Sequence, residues 1–255
     1  VALKSKQPIA ISDWHNEDKF LDIPWKIIND GLSDLKKNAT KYLFLDSNEE
    51  RKRHIKAYFQ QIHKINIDLD SFTITHNSTS AIHLALRAIA FQKKRFLIIT
   101  PFYFSIFKTL YNLGCNSLFF FHITLAPNFL PKFGEISRIL EEQFIDVIIV
   151  TDPIFSSGVE LGENFLLEII EAAKKFNCWI VYDFTLGGIE WDSEEKYLLD
   201  IKKFLLFKDI EKLIYIDSPT KKLFLNGLKH AFVYSNPAVV SKMETFADDI
   251  MGGFS

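Results

Sequence analysis

Short apolar runs alternate with amphipathic stretches along most of this chain. Phe72-Thr73-Ile74-Thr75 precedes a helical pattern from Ala81 to Phe91, and Phe96-Leu97-Ile98-Ile99 precedes another from Ser105 to Leu113. Ser117 to Ile123 is the next extended run, followed by a helix over Ile136 to Gln143 and then Val147-Ile148-Ile149-Val150. Phe165 to Phe176 has helical spacing and leads into Trp179-Ile180-Val181-Tyr182; Leu213-Ile214-Tyr215-Ile216 and Ala231-Phe232-Val233-Tyr234 complete the series. Strands that are apolar at nearly every position, rather than at every second one, are buried on both faces. Alternation with helices makes such strands parallel. The expected fold is therefore α/β: a mostly parallel, seven-stranded sheet held between helices in three layers. Residues 1–45 lack this regularity and read as an N-terminal arm with one helix, Trp25 to Lys37. A further helix, from about Glu49 to Lys64, opens a large domain over 46–255.

Composition narrows the classes. With 48% hydrophobic and 24% charged residues, the chain can bury a sizeable core and keep a solvated surface. Its 30 basic and 32 acidic residues leave a net charge of −2, which gives no footprint for nucleic acid. Cys115 and Cys178 sit in apolar surroundings without CxxC spacing, as free buried thiols of a reducing compartment would. The seven histidines show no HxxxH or HExxH spacing, so no metal site is expected. No apolar run is long enough to span a bilayer and no signal peptide opens the chain, so a cytoplasmic location is the expectation. The chain runs from Val1 to Ser255, and a longer natural protein is expected.

In open α/β sheets, ligands bind beyond the carboxyl ends of the strands, and unusual polar residues follow several of these runs. Thr75-His76-Asn77-Ser78-Thr79-Ser80 joins a strand to a helix. Small hydroxyl residues at a helix N-terminus offer N–H groups to an anion, although the same residues also serve simply as caps. Asp183 ends an apolar strand, where a carboxylate is costly unless it meets a donor or a cation. It reads either as a partner for a protonated ring nitrogen or as a hydrogen-bonded cap. Asp217-Ser218-Pro219-Thr220-Lys221-Lys222 follows another strand. A lysine there can act as an amine nucleophile or be an ordinary loop lysine.

Taken together, these segments resemble the fold-type I pyridoxal 5′-phosphate (PLP) dependent aminotransferases, class I/II, from about Ile65 onward. Ser218-Pro219-Thr220-Lys221-Lys222-Leu223-Phe224-Leu225-Asn226-Gly227-Leu228-Lys229 is similar to the family's S-x-S-K-x-x-x-x-x-G-L-R. The resemblance implies a Schiff base on Lys221, with Ser218 and Lys229 at the phosphate. Lys229 replaces an arginine, exchanging a planar clamp for a point charge. Thr75 to Ala81 resembles the phosphate loop T-x-G-x-x-x-A, with Ser78 and Thr79 as donors and Asn77 at the glycine, the replacement most easily accepted if the backbone there is left-handed. Pro101-Phe102-Tyr103 is similar to P-x-[YFW], placing Tyr103 over the ring. Asp183 matches the carboxylate that pairs with the ring nitrogen.

Two departures stand beside the matches. Asp152-Pro153-Ile154-Phe155-Ser156-Ser157-Gly158 resembles N-P-x-N-P-T-G with Phe155 at the second Asn, and Asp183-Phe184-Thr185-Leu186 resembles D-x-x-Y with Leu186 at the Tyr. In the family those two side chains donate to the phenolic oxygen of PLP, and neither replacement can. The resemblance further implies a PLP-binding large domain over 46–255 whose C-terminal small domain lies beyond Ser255, a homodimer, and an amino acid and a 2-oxo acid as substrates. A second resemblance, resting on Lys229 and the Ser/Thr-rich phosphate loop, is to the PLP- and O₂-dependent L-arginine oxidases and hydroxylases. Three functions stay open on these residues: an aminotransferase, another PLP chemistry such as oxidation or hydroxylation, and a degenerate, non-catalytic relative. A nicotinamide protein is disfavoured because no GxGxxG follows an apolar strand.

Overall fold

The computed structural model describes residues 46–90, 94–123, 134–188, 201–222 and 229–251, and a few helical residues between Lys26 and Lys36. The expected helix over Trp25 to Lys37 lies mainly outside the described residues, as does most of the arm 1–45.

In chain order the elements are α1 (Asp46–His63), β1 (Phe72–Thr75), α2 (Ser78–Ile89), β2 (Arg95–Thr100), α3 (Phe104–Asn112) and β3 (Ser117–His122). They continue with α4 (Glu135–Gln143), β4 (Val147–Thr151), α5 (Glu163–Phe176), β5 (Trp179–Asp183) and α6 (Ile201–Phe207). β6 (Leu213–Asp217), α7 (Pro219–Lys222), β7 (Ala231–Ser235) and α8 (Pro237–Met251) complete the series.

The seven strands form one sheet in the order β1-β7-β6-β5-β4-β2-β3. From β6 to β3 every neighbouring pair is parallel. β7 is the exception: it runs antiparallel to both β6 and β1. Its apolar run reads the same in either direction, so nothing in its pattern announces the reversal. Among the described residues, β1 joins the sheet through β7 alone.

Side chains alternate between the faces along each strand, and the core divides accordingly. Phe96, Ile98, Val147, Ile149, Val181, Ile214, Ile216 and Val233 face α2, α3 and α8, which contribute Ile82, Leu86, Ile106, Leu110 and Met243. Leu97, Ile99, Ile148, Val150, Ile180, Tyr182 and Tyr215 face the other way, against Phe59 of α1, Ile136 of α4, Leu166 and Ile169 of α5, and Phe204 and Phe207 of α6. The three expected layers are therefore present. Lys52 of α1 is 3% exposed and meets Glu244 of α8 at 2.8 Å, a buried pair that ties the two helices together.

Candidate active site at the carboxyl ends of the strands

The turns after β1, β2, β4, β5 and β6 all emerge at one end of the sheet, because these five strands point the same way. After β1, Asn77 caps α2: its Oδ1 accepts from the Ser80 N–H at 2.8 Å, and Thr75 Oγ1 donates to the Asn77 carbonyl at 2.9 Å. Asn77 is extended, with φ −170° and ψ 168°, rather than left-handed. The cap accounts for this, since an N-cap residue takes extended dihedrals while its side chain accepts from the first turn. Among the described residues, the backbone N–H groups of Ser78 and Thr79 have no acceptor. They face the turn at the positive end of the α2 dipole, a ready site for an anion.

Tyr103 is the residue before α3, and its hydroxyl lies 3.3 Å from Thr79 Oγ1. This contact links the turn after β2 to the turn after β1. On its other side the Tyr103 ring packs on Phe155, with centroids 5.5 Å apart and planes inclined at 55°. Phe155 thus forms part of the wall beside Tyr103. The segments carrying the two rings both open with a cis proline, at Thr100–Pro101 and Asp152–Pro153.

Asp183 closes β5 and is 4% exposed. Burial pushes its carboxyl up to about 6; hydrogen bonds from Thr185 oppose this, and Asp217 adds to it. Both Thr185 donors, the hydroxyl at 2.5 Å and the backbone N–H at 3.2 Å, fall on Oδ1. The turn that supplies them is closed by a Gly187 N–H bond to the Phe184 carbonyl. A Cβ at Gly187 would lie 2.1 Å from the Phe184 ring, so only glycine fits there. A buried carboxylate whose donors among the described residues both fall on one oxygen is suited to a protonated ring nitrogen.

After β6, the Lys221 N–H bonds to the Ser218 carbonyl at 3.1 Å and starts the short α7, leaving Lys221 half-buried. Ser218 is buried, and its hydroxyl donates to the His230 carbonyl at 2.7 Å while lying 3.1 Å from Thr220 Oγ1. For Ser218 to donate to an anion, its hydroxyl must turn from His230. Thr220, which the sequence reading did not single out, lies beside it and is also buried. Lys229 is exposed. The structure therefore brings Thr79, Tyr103 and Phe155 into direct contact, and sets Ser78, Asp183, Ser218 and Lys221 at the same end of the sheet.

A second group was missed from sequence. Asp152 is fully buried and accepts from the Tyr182 hydroxyl, from Lys203 Nζ at 3.2 Å and from the Leu161 N–H at 2.8 Å. Lys203 also donates to the Leu161 carbonyl at 2.6 Å. Burial, reinforced by Asp152, holds the Tyr182 hydroxyl well above its ordinary range. The network pins the turn that carries Phe155. Among the described residues there is no group of three or more His, Cys, Asp or Glu suited to a metal ion, and no helix long and apolar enough to cross a membrane.

The donor set fits PLP on three counts: N–H groups for a phosphate, a buried carboxylate for a ring nitrogen, and a lysine amine for an aldehyde. Comparison with known proteins points the same way. A family model described as aminotransferase class I and II matches residues 20–252. The aspartate aminotransferase of Thermotoga maritima is 20% identical over 225 residues, 87% of this chain and 58% of the relative. The (5-formylfuran-3-yl)methyl phosphate transaminase of Methanocaldococcus jannaschii is 24% identical over 220 residues, 85% of this chain and 54% of the relative. The chain thus spans little more than half the length of these curated relatives. Among solved structures, the Thermotoga maritima aspartate aminotransferase superimposes with a TM-score of 0.76 at 17% identity, covering 92% of this chain and 61% of that one. The aromatic aminotransferase of Pyrococcus horikoshii gives 0.74 at 17% identity, covering 93% and 62%. These superpositions establish a shared fold.

Proposed function

Because the chain belongs to the aminotransferase class I and II family, whose members use pyridoxal phosphate, we propose that it binds that cofactor and serves amino-group transfer between an amino acid and a 2-oxo acid. The observation that carries this reading is Asp183, a buried carboxylate at the end of β5 with no ion pair among the described residues. When bound, PLP supplies an aldehyde that condenses with amines and a ring that withdraws electrons from the attached carbon. Everything else is done by the chain. Asp183 would hold a proton on the ring nitrogen, and Tyr103 would cover one face of the ring. Ser78 and Thr79 would receive the phosphate at the α2 N-terminus, with Ser218 and Lys229 completing its surroundings. Lys221 would hold the aldehyde through its Nζ, with loss of water, and the same amine would serve as the base that takes the proton from the substrate α-carbon.

Several features of the whole protein belong to the same reading. Residues 1–45 act as an arm to a cofactor-binding domain over 46–255, and the protein works as a homodimer in the cytoplasm. The free, buried thiols of Cys115 and Cys178 are in keeping with a reducing compartment.

The test is covalent trapping. After incubation with PLP and reduction by borohydride, mass spectrometry should locate the adduct on Lys221. Lys221→Ala should abolish it, and Lys222→Ala should leave it in place. An adduct that persists in Lys221→Ala overturns the assignment.

A further inference from the structure

β4 ends at Thr151, which is 5% exposed. Its side chain shares a face with Val147 and Ile149, the side of the sheet covered by α2 and α3. Register sets Thr151 directly beside Asp183 of β5, so the two side chains project the same way. On its other flank stands β2, whose continuation carries Tyr103. Thr151 therefore lies beside the buried carboxylate, at the end of the sheet where the site is built.

The Thr151 hydroxyl has no hydrogen-bond partner among the described residues. Thr100, at the end of β2, differs: its Oγ1 lies 2.7 Å from His122 Nδ1. A buried hydroxyl without a partner is destabilising, whereas a valine of the same shape would carry no such penalty. A threonine left unsatisfied at this position is accounted for if a ligand satisfies it. Phe155 and Leu186 offer no donor to such a ligand. The strand beside Asp183 offers Thr151.

We propose that Thr151 is a cofactor-contacting residue whose hydroxyl would donate a hydrogen bond to the phenolic oxygen of bound PLP. This inference rests on the reading that the chain binds PLP. A donor to that oxygen favours its anionic form, so removing the donor raises its proton affinity.

The experiment uses the 255-residue chain and PLP itself as probe, with absorbance titrations at a series of pH values and urea unfolding without cofactor. Thr151→Val should bind PLP about tenfold more weakly, the size expected for one hydrogen bond to a charged group. The pH at which its absorption band converts should rise, while its cofactor-free urea midpoint equals or exceeds the parent's. Thr151→Ser, which keeps the hydroxyl, should retain the parent's affinity and conversion pH. Thr73, four strands away in β1, has the other unpartnered buried threonine hydroxyl among the described residues. Thr73→Val should leave the PLP titration unchanged. Parental affinity and conversion pH in Thr151→Val overturn this inference alone. Equal loss in Thr151→Ser and Thr151→Val also overturns it, because packing would then be the cause. A parent that develops no absorption band overturns both this inference and the proposed function.

Discussion

Asp183 gives the clearest single-residue consequence. Its carboxyl is raised from an ordinary 3.8 to about 6, chiefly by burial. The folded chain therefore binds this proton more tightly than the unfolded chain, and stability falls as pH rises. The contribution is fully present below about 3.8 and is lost as pH passes through about 6. The difference between those values amounts to on the order of 3 kcal/mol before structural relaxation reduces it. Asp183→Asn keeps an acceptor for Thr185 and removes the charge. Without cofactor, this variant should be more stable than the parent at pH 8 by about 2 kcal/mol, the gap closing near pH 4. Urea unfolding at stepped pH reads both points. The same variant should bind PLP more weakly if, as the proposed function has it, the carboxylate partners the ring nitrogen. At this scale the sequence was informative where a polar residue interrupts an apolar run, as at Asp183 and Lys221. It was silent where a residue's meaning depends on a neighbour. Thr185, Thr220 and Thr151 look like any threonine until the fold places them beside Asp183 and Ser218.

The central strands could be read from sequence because each is apolar at almost every position, the mark of burial on both faces. Helix starts were read a few residues late: α2 begins at Ser78 rather than Ala81, and α5 at Glu163 rather than Phe165. First-turn residues are polar and contribute nothing to apolar periodicity, so the pattern begins only after them. α6 escaped notice altogether. Its seven residues are too few to display a helical period, although Phe204 and Phe207, three apart, form its buried face. That short helix has a large effect through Lys203, which is 12% exposed and meets the fully buried Asp152. Removing one partner of such a pair leaves an uncompensated buried charge. Lys203→Met should therefore lower stability by about 3 kcal/mol, and adding Asp152→Asn should recover much of the loss. Chemical denaturation of the single and double variants measures this coupling. The Phe155 turn should loosen in the single variant, detectable as faster hydrogen exchange over 152–162.

For the molecule as a whole, the decisive feature is β7. It stands between β1 and β6 and, among the described residues, is the only strand that β1 pairs with. α8, which follows it, packs on α2 and closes the layer over that side of the sheet. A chain ending at residue 230 should lose its cooperative unfolding transition in circular dichroism and fail to develop a PLP absorption band. A truncated chain that keeps both would show that β1 and its turn hold their place without β7. The layer architecture was legible from alternation of strands and helices, but the strand order was not. Order and direction depend on which apolar surfaces meet, and near-uniform apolar strands carry little information about their neighbours. The strand order also bears on how the protein is made. Roughly 160 residues separate Thr75, at the end of β1, from Ser235, at the end of β7. At a ribosome's 5–20 residues per second, that interval is on the order of ten seconds. Throughout it, the nascent β1 and the Ser78–Thr79 turn behind it wait without a strand to join. Capture of the cofactor is thus deferred until synthesis of this region is nearly complete.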